Sequence, residues 1–378
     1  MNFSFNEEQK LLRESLEKFV QRDYTFENRK AYRALPDGYS PEVWKQFADM
    51  GLLGLPFSED NGGMGGGAAE TIVAMTAIGN GLMVEPYFPT VVMAGGLINQ
   101  AGSAAQKQAL LPAIAEGKLI ASTAFGEPGG RFDLFRVKTT AKKDGNDYVL
   151  NGRKAVVLHG AQADRIIVSA RTSGGANDSD GISLFLVERG APGLKVTDYR
   201  TGDGMRAADL VLKDVRVNAD ALVGEEGKAL PVIEAAADRG IAALCAEAVG
   251  VMQTLNALTL EYIKNRQQFG QPIGRFQVMQ HRAADMFIHA EQCKSMAYLA
   301  CMKADSADAK ERTHAVSAAK AYIGKCGRVV AQLAIQMHGG MGVTNELPAA
   351  HYAKRLTLID FNLGDTDYHL QRFIKAAA

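Results

Sequence analysis

Residues 229–266 read ALPVIEAAADRGIAALCAEAVGVMQTLNALTLEYIKNR, an alanine-rich stretch whose apolar residues recur at helical spacing over many turns. Two more such stretches follow, VMQHRAADMFIHAEQCKSMAYLACMKA at 278–304 and ERTHAVSAAKAYIGKCGRVVAQLAIQMHGG at 311–340. Long helices separated by short breaks predict an antiparallel bundle. Upstream, between about 119 and 222, the period changes to two: DYVLNGRKAVVL, RIIVSART, GISLFLVERG, LKVTDYR and LVLKDVRV are short β-branched runs separated by turns such as KDGND. Before them the helical period returns. NEEQKLLRESLEKFV sets Leu11, Leu12, Leu16 and Phe19 on one face, and YSPEVWKQFADMG has Ser40 as N-cap, Pro41 at the first helical position and Gly51 past the end. The expected fold is mostly α with an inserted antiparallel β domain: a helical domain over 1–118, a β domain over 119–222 and a C-terminal four-helix bundle over 223–378.

A chain of 378 residues, 47% hydrophobic, can bury more than one core. Lysine plus arginine equals aspartate plus glutamate at 42 each, so no overall field favours nucleic acid or an anionic membrane. Any anionic ligand must be held by local groups. The opening residues MNFSFNEEQKLLRESL carry no basic leader with an apolar core, and no run approaches the roughly 20 apolar residues of a membrane span. A soluble, cytoplasmic protein without membrane insertion is expected. Cys245, Cys293, Cys301 and Cys326 lie in helix-like sequence without CxxC spacing, which predicts reduced, buried thiols. No metal site is expected, since the seven histidines contain no HExxH.

Four segments invite a functional reading. NGGMGGG at 61–67 fits neither phosphate-loop pattern and reads as a flexible turn. TAFGEPGGRFD at 123–133, at the entrance to the β unit, can aim backbone groups at a flat ring. NRQQFGQPIGRFQVMQ at 265–280 places Arg266 and Phe269 at the break between two long helices, where a cation beside an aromatic face suits adenine and pyrophosphate. Arg266 can equally pair with an acidic neighbour. In QMHGGMGV at 336–343, Gln336 precedes glycines that let main chain approach a ligand, and His338 reads as a packed histidine. Asp238 and Glu247 fall within apolar helix, where each carboxylate needs a partner, solvent or a task.

In this order the motifs resemble those of the acyl-CoA dehydrogenase family over nearly the whole chain. FGEPGG stands where the family has its threonine-glutamate-proline flavin loop, RQQFGQPIGRFQ resembles its arginine-x-x-phenylalanine-glycine segment, and QMHGGMG resembles its glutamine-x-x-glycine-glycine segment. The resemblance implies FAD bound between subunits and an acyl-CoA substrate in fatty acid metabolism. A carboxylate takes the α proton while hydride leaves the β carbon for the flavin. It implies an electron-transfer flavoprotein as acceptor. By the same resemblance Phe125 and Gly126 lie near the flavin ring, and Arg266, Phe269 and Gln277 contact the ADP half. Gln336, Gly339 and Gly340 approach from a neighbouring subunit, so an oligomer is implied.

The family's base sits in a turn after the last long helices, where LIDFNLGDTDYHLQRF at 358–373 offers Leu363 followed by Gly364. Leucine accepts no proton. Some members carry the base as a glutamate-arginine pair on the helix before the arginine motif. Here ADRG offers Asp238, the expected catalytic residue, although an ungapped count puts that position on Gly240; Glu247 and Asp365 are alternatives. Val156 and Leu158 stand where the family has a flavin-facing tryptophan and threonine, and Gly126 where the loop has threonine. GDTDYHL resembles the smaller chains of two-subunit enzymes of the pimeloyl-CoA type. Arg131 would suit the second carboxylate of a dicarboxylyl chain, or a surface ion pair. Two alternatives stay open: a non-catalytic partner that completes a larger chain's FAD site, and a related flavoenzyme such as a nitroalkane oxidase or monooxygenase.

Overall fold

The structure, a computed structural model, describes residues 5–377. Helices α1 (Glu7–Arg22), α2 (Phe26–Ala34), α3 (Pro41–Asp49), α4 (Ala68–Gly81), α5 (Gly96–Ala101) and α6 (Ala104–Ala115) come first. Strands β1 (Ala121–Ala124), β2 (Thr140–Asp144), β3 (Asp147–Leu158), β4 (Arg165–Arg171), β5 (Ile182–Glu188), β6 (Leu194–Arg200), β7 (Arg206–Val217) and β8 (Leu222–Val223) follow. The long α7 (Leu230–Asn265) leads into a small hairpin, β9 (Gln267–Gln268) and β10 (Gln271–Pro272). The chain ends with α8 (Gln277–Lys303), α9 (Ala309–His338), α10 (Pro348–Phe361) and α11 (Thr366–Ala377).

Compactness does not follow sequence order. One unit comprises Met1–Ala31, Ala68–Met83 and Ile241–Ala378; the other comprises Tyr32–Gly67 and Val84–Gly240, and the division falls inside α7. In the first, α1 begins with a capping box between Asn6 and Gln9. Its face is narrower than the spacing predicts: Leu16 and Phe19 are buried, while Leu11 is 65% exposed. α4 joins the C-terminal helices because two glycines let its backbone meet that of α7. A Cβ on Gly79 would strike the Glu247 carbonyl, and one on Gly250 the Thr76 carbonyl. From Gly240 to Met252 every residue of α7 is buried, as a helix apolar on all sides requires. α7 is also long and apolar enough by composition to cross a membrane, which the sequence reading did not anticipate, but 72% of that window is buried inside the protein.

In the second unit Ser40 caps α3, its Oγ accepting the Val43 N–H at 3.3 Å, with Pro41 in the first turn as expected. The sheet runs β6-β7-β3-β2-β4-β5-β8, with β1 against β4. Most pairings are antiparallel, but β1 and β2 each meet β4 in parallel, so the sheet is mixed. The reason lies in the connection: the 123–133 segment and the stretch after it return the chain to β2 in the same sense instead of closing a hairpin. A π-helix over Phe88–Gly95, a form that recurs near functional sites, is tied to β1 by Thr90 Oγ1–H to the Ala121 carbonyl, 2.9 Å.

Candidate functional site

In the first unit, α7 ends where Arg266 N–H still bonds the Tyr262 carbonyl at 2.8 Å, and the chain turns through β9 and β10. Both loop residues of this two-residue hairpin are left-handed, Phe269 at φ 54° and Gly270 at φ 76°. Type I′ turns ask for that geometry and favour asparagine or glycine, so phenylalanine there is strained. Its ring is also 90% exposed, touching Phe276 edge-on at 6.0 Å. A strained aromatic that buries nothing within its own chain is placed for something else.

The hairpin borders a groove of ≈ 650 Å³ that also takes in the end of α9. Tyr262, Arg266, Phe269 and Phe276 line one part, Gln336, Gly339 and Gly340 another. His338 closes its floor: Nδ1 lies 2.8 Å from the Ala334 carbonyl and the ring stacks on Tyr262 at 4.4 Å, so it is packed as the sequence suggested. Burial holds its pKa below the usual value. Gly339 needs glycine for its φ of 61°; Gly340 has no positive φ, and a Cβ on either would meet nothing within 4 Å. Packing in this chain does not demand glycine at 340. Within one chain, Gln336, Gly339 and Gly340 lie along the same groove as Arg266 and Phe269, because α7 and α9 end together here. Gln277, exposed at the start of α8, is outside the groove lining.

In the second unit the 125–130 loop is pinned by a buried network. Glu127 accepts the N–H groups of Lys138 and Thr139 at 2.8 and 3.0 Å, and Lys154 Nζ at 2.8 Å. Lys154, fully buried, also donates to Ser169 Oγ at 2.9 Å. Burial lowers the Lys154 pKa to about 8, with Glu127 pulling it back up. Burial raises that of Glu127, but the ammonium and its hydrogen bonds leave it below the usual value. Sequence reasoning missed this pair; the signal was a lysine at an inward position of β3. Phe125 is buried, and Gly126 lies against β3, where a Cβ would stand 3.2 Å from the Ala155 carbonyl. β3 bulges between Lys154 and Val157, leaving Val156 left-handed at φ 55° and 57% exposed, its N–H held by Asp209 at 3.1 Å.

Asp238 is completely buried in α7 of the second unit, and the neighbouring Arg239 donates to Gln100 Oε1 at 2.7 Å. Glu247 is engaged otherwise: Arg355 grips it with two hydrogen bonds of 2.6 and 2.8 Å, both side chains buried. A bidentate guanidinium leaves that carboxylate poorly placed to take a substrate proton. Asp365 caps α11, accepting the Tyr368 N–H at 2.8 Å. The turn that holds Leu363 is braced by two buried side chains. Lys320 Nζ, fully buried, donates to the carbonyls of Asp360 and Gly364 at 2.8 and 2.6 Å. His369 Nε2 lies 2.9 Å from the Leu363 carbonyl, and its Nδ1 3.3 Å from Ser317 Oγ.

The chain matches, in order, the family models described as acyl-CoA dehydrogenase N-terminal domain over residues 6–118, middle domain over 122–215 and C-terminal domain over 228–378. Mitochondrial isovaleryl-CoA dehydrogenase from Pongo abelii is 30% identical over 368 residues, covering 96% of this chain and 86% of that protein. The solved butyryl-CoA dehydrogenase from Megasphaera elsdenii superposes with a TM-score of 0.90 at 26% identity, covering 100% of both chains. The ChsE4-ChsE5 complex from Mycobacterium tuberculosis gives a TM-score of 0.90 at 28% identity, over 100% of this chain and 99% of the other.

Proposed function

The chain belongs to the acyl-CoA dehydrogenase family, and from that premise we propose that it oxidises an acyl-CoA thioester to the trans-2-enoyl product as the smaller chain of a two-chain enzyme. Members of this family are flavoproteins, and FAD is the cofactor. The groove of the first unit fits its ADP portion. Arg266 supplies a cation for the diphosphate, the strained, exposed Phe269 a face for the adenine, and Gly340 an open backbone with no other reason to be glycine. This last observation carries the proposal. The Glu127–Lys154 network fixes the 125–130 loop that would approach the ring portion.

When bound, FAD accepts the hydride from the β carbon. The chain's own task is to orient the acyl group and take the α proton. Asp238 is our assignment for that base: it is a carboxylate removed from water within an apolar helix, while Glu247 is committed to Arg355 and position 363 is leucine. The leucine supports the small-chain reading, as does similarity to a complex of two chains. An electron-transfer flavoprotein is the proposed acceptor, and Arg131, at the 125–133 loop, the proposed contact for a second carboxylate.

The test is the visible spectrum and FAD content of the protein purified alone and with any co-encoded larger chain, before and after a panel of acyl-CoAs. Bleaching by the chain alone would establish a self-sufficient dehydrogenase. Bleaching only with the partner would support the two-chain enzyme. No bleaching in either case would overturn the dehydrogenase reading. A second reading, that the chain only completes a partner's FAD site, is favoured by Leu363 alone; it requires that Asp238→Asn leave the two-chain rate unchanged.

A further inference from the structure

Helices α8 and α9 run antiparallel, and two side-chain bonds fix their register: Lys303 to Glu311 beside the connecting loop, and the Tyr322 hydroxyl to Gln292 Oε1 some three turns further on. One more turn along both helices brings Cys326 of α9 opposite His289 of α8. Cys293 stands on the same face of α8, one turn from His289. The two thiols meet there and are hydrogen-bonded to each other. Both cysteines are buried, while His289 and Tyr322 beside them are half-buried. His289 also bonds Cys326, yet its Nδ1 is buried without a partner, so packing alone does not account for the imidazole. Among the described residues no group of His, Cys, Asp and Glu could hold a metal ion. What the cluster offers is thiol chemistry.

The four cysteines of the chain are chemically unequal. Cys301 donates its thiol to the Ala242 carbonyl at 3.5 Å, and burial holds its pKa well above the ordinary value. Burial likewise pushes Cys245 up to about 12. Buried thiols that keep their protons are poor nucleophiles. Cys326 differs: the hydrogen bond with Cys293 first, and His289 in addition, hold its pKa below the ordinary value in spite of burial. The same bond, together with burial, raises that of Cys293. Cys293 is therefore the donor of the pair and Cys326 the acceptor. The buried face of α8 on either side of Cys293 is alanine, Ala290 and Ala297, so little bulk resists the small approach that a sulfur–sulfur bond requires.

We propose that Cys326 and Cys293 form an oxidation site: hydrogen peroxide oxidises Cys326, and Cys293 resolves the product into a disulfide that ties α8 to α9. The Cys326 sulfur attacks one peroxide oxygen and the O–O bond breaks. Sulfur gives up two electrons, and the departing hydroxide leaves as water with the Cys326 proton. The Cys293 sulfur then attacks the resulting sulfenic acid; the S–O bond breaks, and the hydroxyl leaves as a second water with the Cys293 proton. Two thiols and one peroxide become one disulfide and two waters.

The test uses the full-length, FAD-loaded protein, reduced, freed of reductant and treated with a small excess of hydrogen peroxide. Remaining thiols are alkylated at intervals and the peptides mapped by mass spectrometry. A Cys293–Cys326 linked peptide within one chain, reversed by dithiothreitol, should form about tenfold or more faster than Cys245 or Cys301 is modified. Cys293→Ser should leave a sulfenic acid on Cys326 that dimedone traps, and Cys326→Ser should leave Cys293 unoxidised over the same time. Four thiols modified at similar rates, no thiol modified, or a linkage between any other pair overturns the proposal. Sulfinic acid on Cys326 with Cys293 still reduced overturns the resolving role, and dimedone on Cys293 in Cys326→Ser at the wild-type rate overturns the assignment of the nucleophile. Should either variant fail to fold, the linked peptide of the wild type and its rate decide alone.

Discussion

On the assignment proposed above Asp238 is the base, and both alternatives the sequence offered, Glu247 and Asp365, have visible structural tasks. Glu247 is clamped by Arg355 and Asp365 caps a helix. Asp238→Asn keeps the volume and removes the proton acceptor, so turnover should fall about 10²- to 10⁴-fold with unchanged melting and FAD content. A rate within twofold of wild type would move the base to another chain. His369 makes a second residue-scale prediction through pH. Burial first, then the charges of Lys320 on α9 and Arg372 on α11, lower its pKa from 6.5 to about 3 against the opposing hydrogen bond to Leu363. The unfolded chain therefore takes up this proton first as pH falls, and stability is lost below about pH 6.5 at up to about 1.4 kcal/mol per pH unit until the folded group titrates. His369→Gln cannot be protonated and should flatten that part of the stability–pH curve. Denaturant midpoints at pH 7, 6, 5 and 4 would show it, and parallel curves for the two proteins would refute it.

At the scale of elements, the β9–β10 hairpin is the clearest case of stability exchanged for a surface. Phe269 occupies a left-handed turn position that asparagine would fill at lower cost, and its ring is 90% exposed. Phe269→Asn should therefore raise the melting temperature of the FAD-free protein by a few degrees, for a gain of about 1 kcal/mol. The same variant should release FAD more readily on dilution. Changes of opposite sign are the signature; a variant that loses both stability and FAD would show that the ring supports the hairpin instead. The sequence marked this segment as a break between helices that sets Arg266 beside Phe269, and gave no sign of a hairpin. Its hairpin and turn type emerge from four residues whose pairing depends on how α7 ends and α8 begins, which local pattern does not encode.

For the whole molecule, α4 packs with helices that follow it by some 170 positions, as the Thr76 hydroxyl to the Ala246 carbonyl (3.4 Å) illustrates. That association depends on a crossing of two helix backbones at Gly79 and Gly250. Gly250→Val would drive two methyl groups toward the Thr76 carbonyl and should destabilise the protein by about 3 kcal/mol or more. Limited proteolysis should then cut first near residues 60–70, at the edge of the released helix; an unchanged cleavage pattern would mean that α4 is held by contacts other than this crossing.

The order of helical, β and helical segments and the cap of α3 were legible in the sequence, because each depends on residues within a few turns or strand lengths of one another. The same locality explains what was hidden. That Glu247 is clamped depends on Arg355, more than a hundred positions away. The parallel strand pairings, the joining of α4 to the last helices, and the Lys320–His369 brace beneath Leu363 likewise arise between segments far apart in the chain. Sequence periodicity reports which face of an element is apolar; only packing decides what that face meets, and with it which buried polar groups acquire partners.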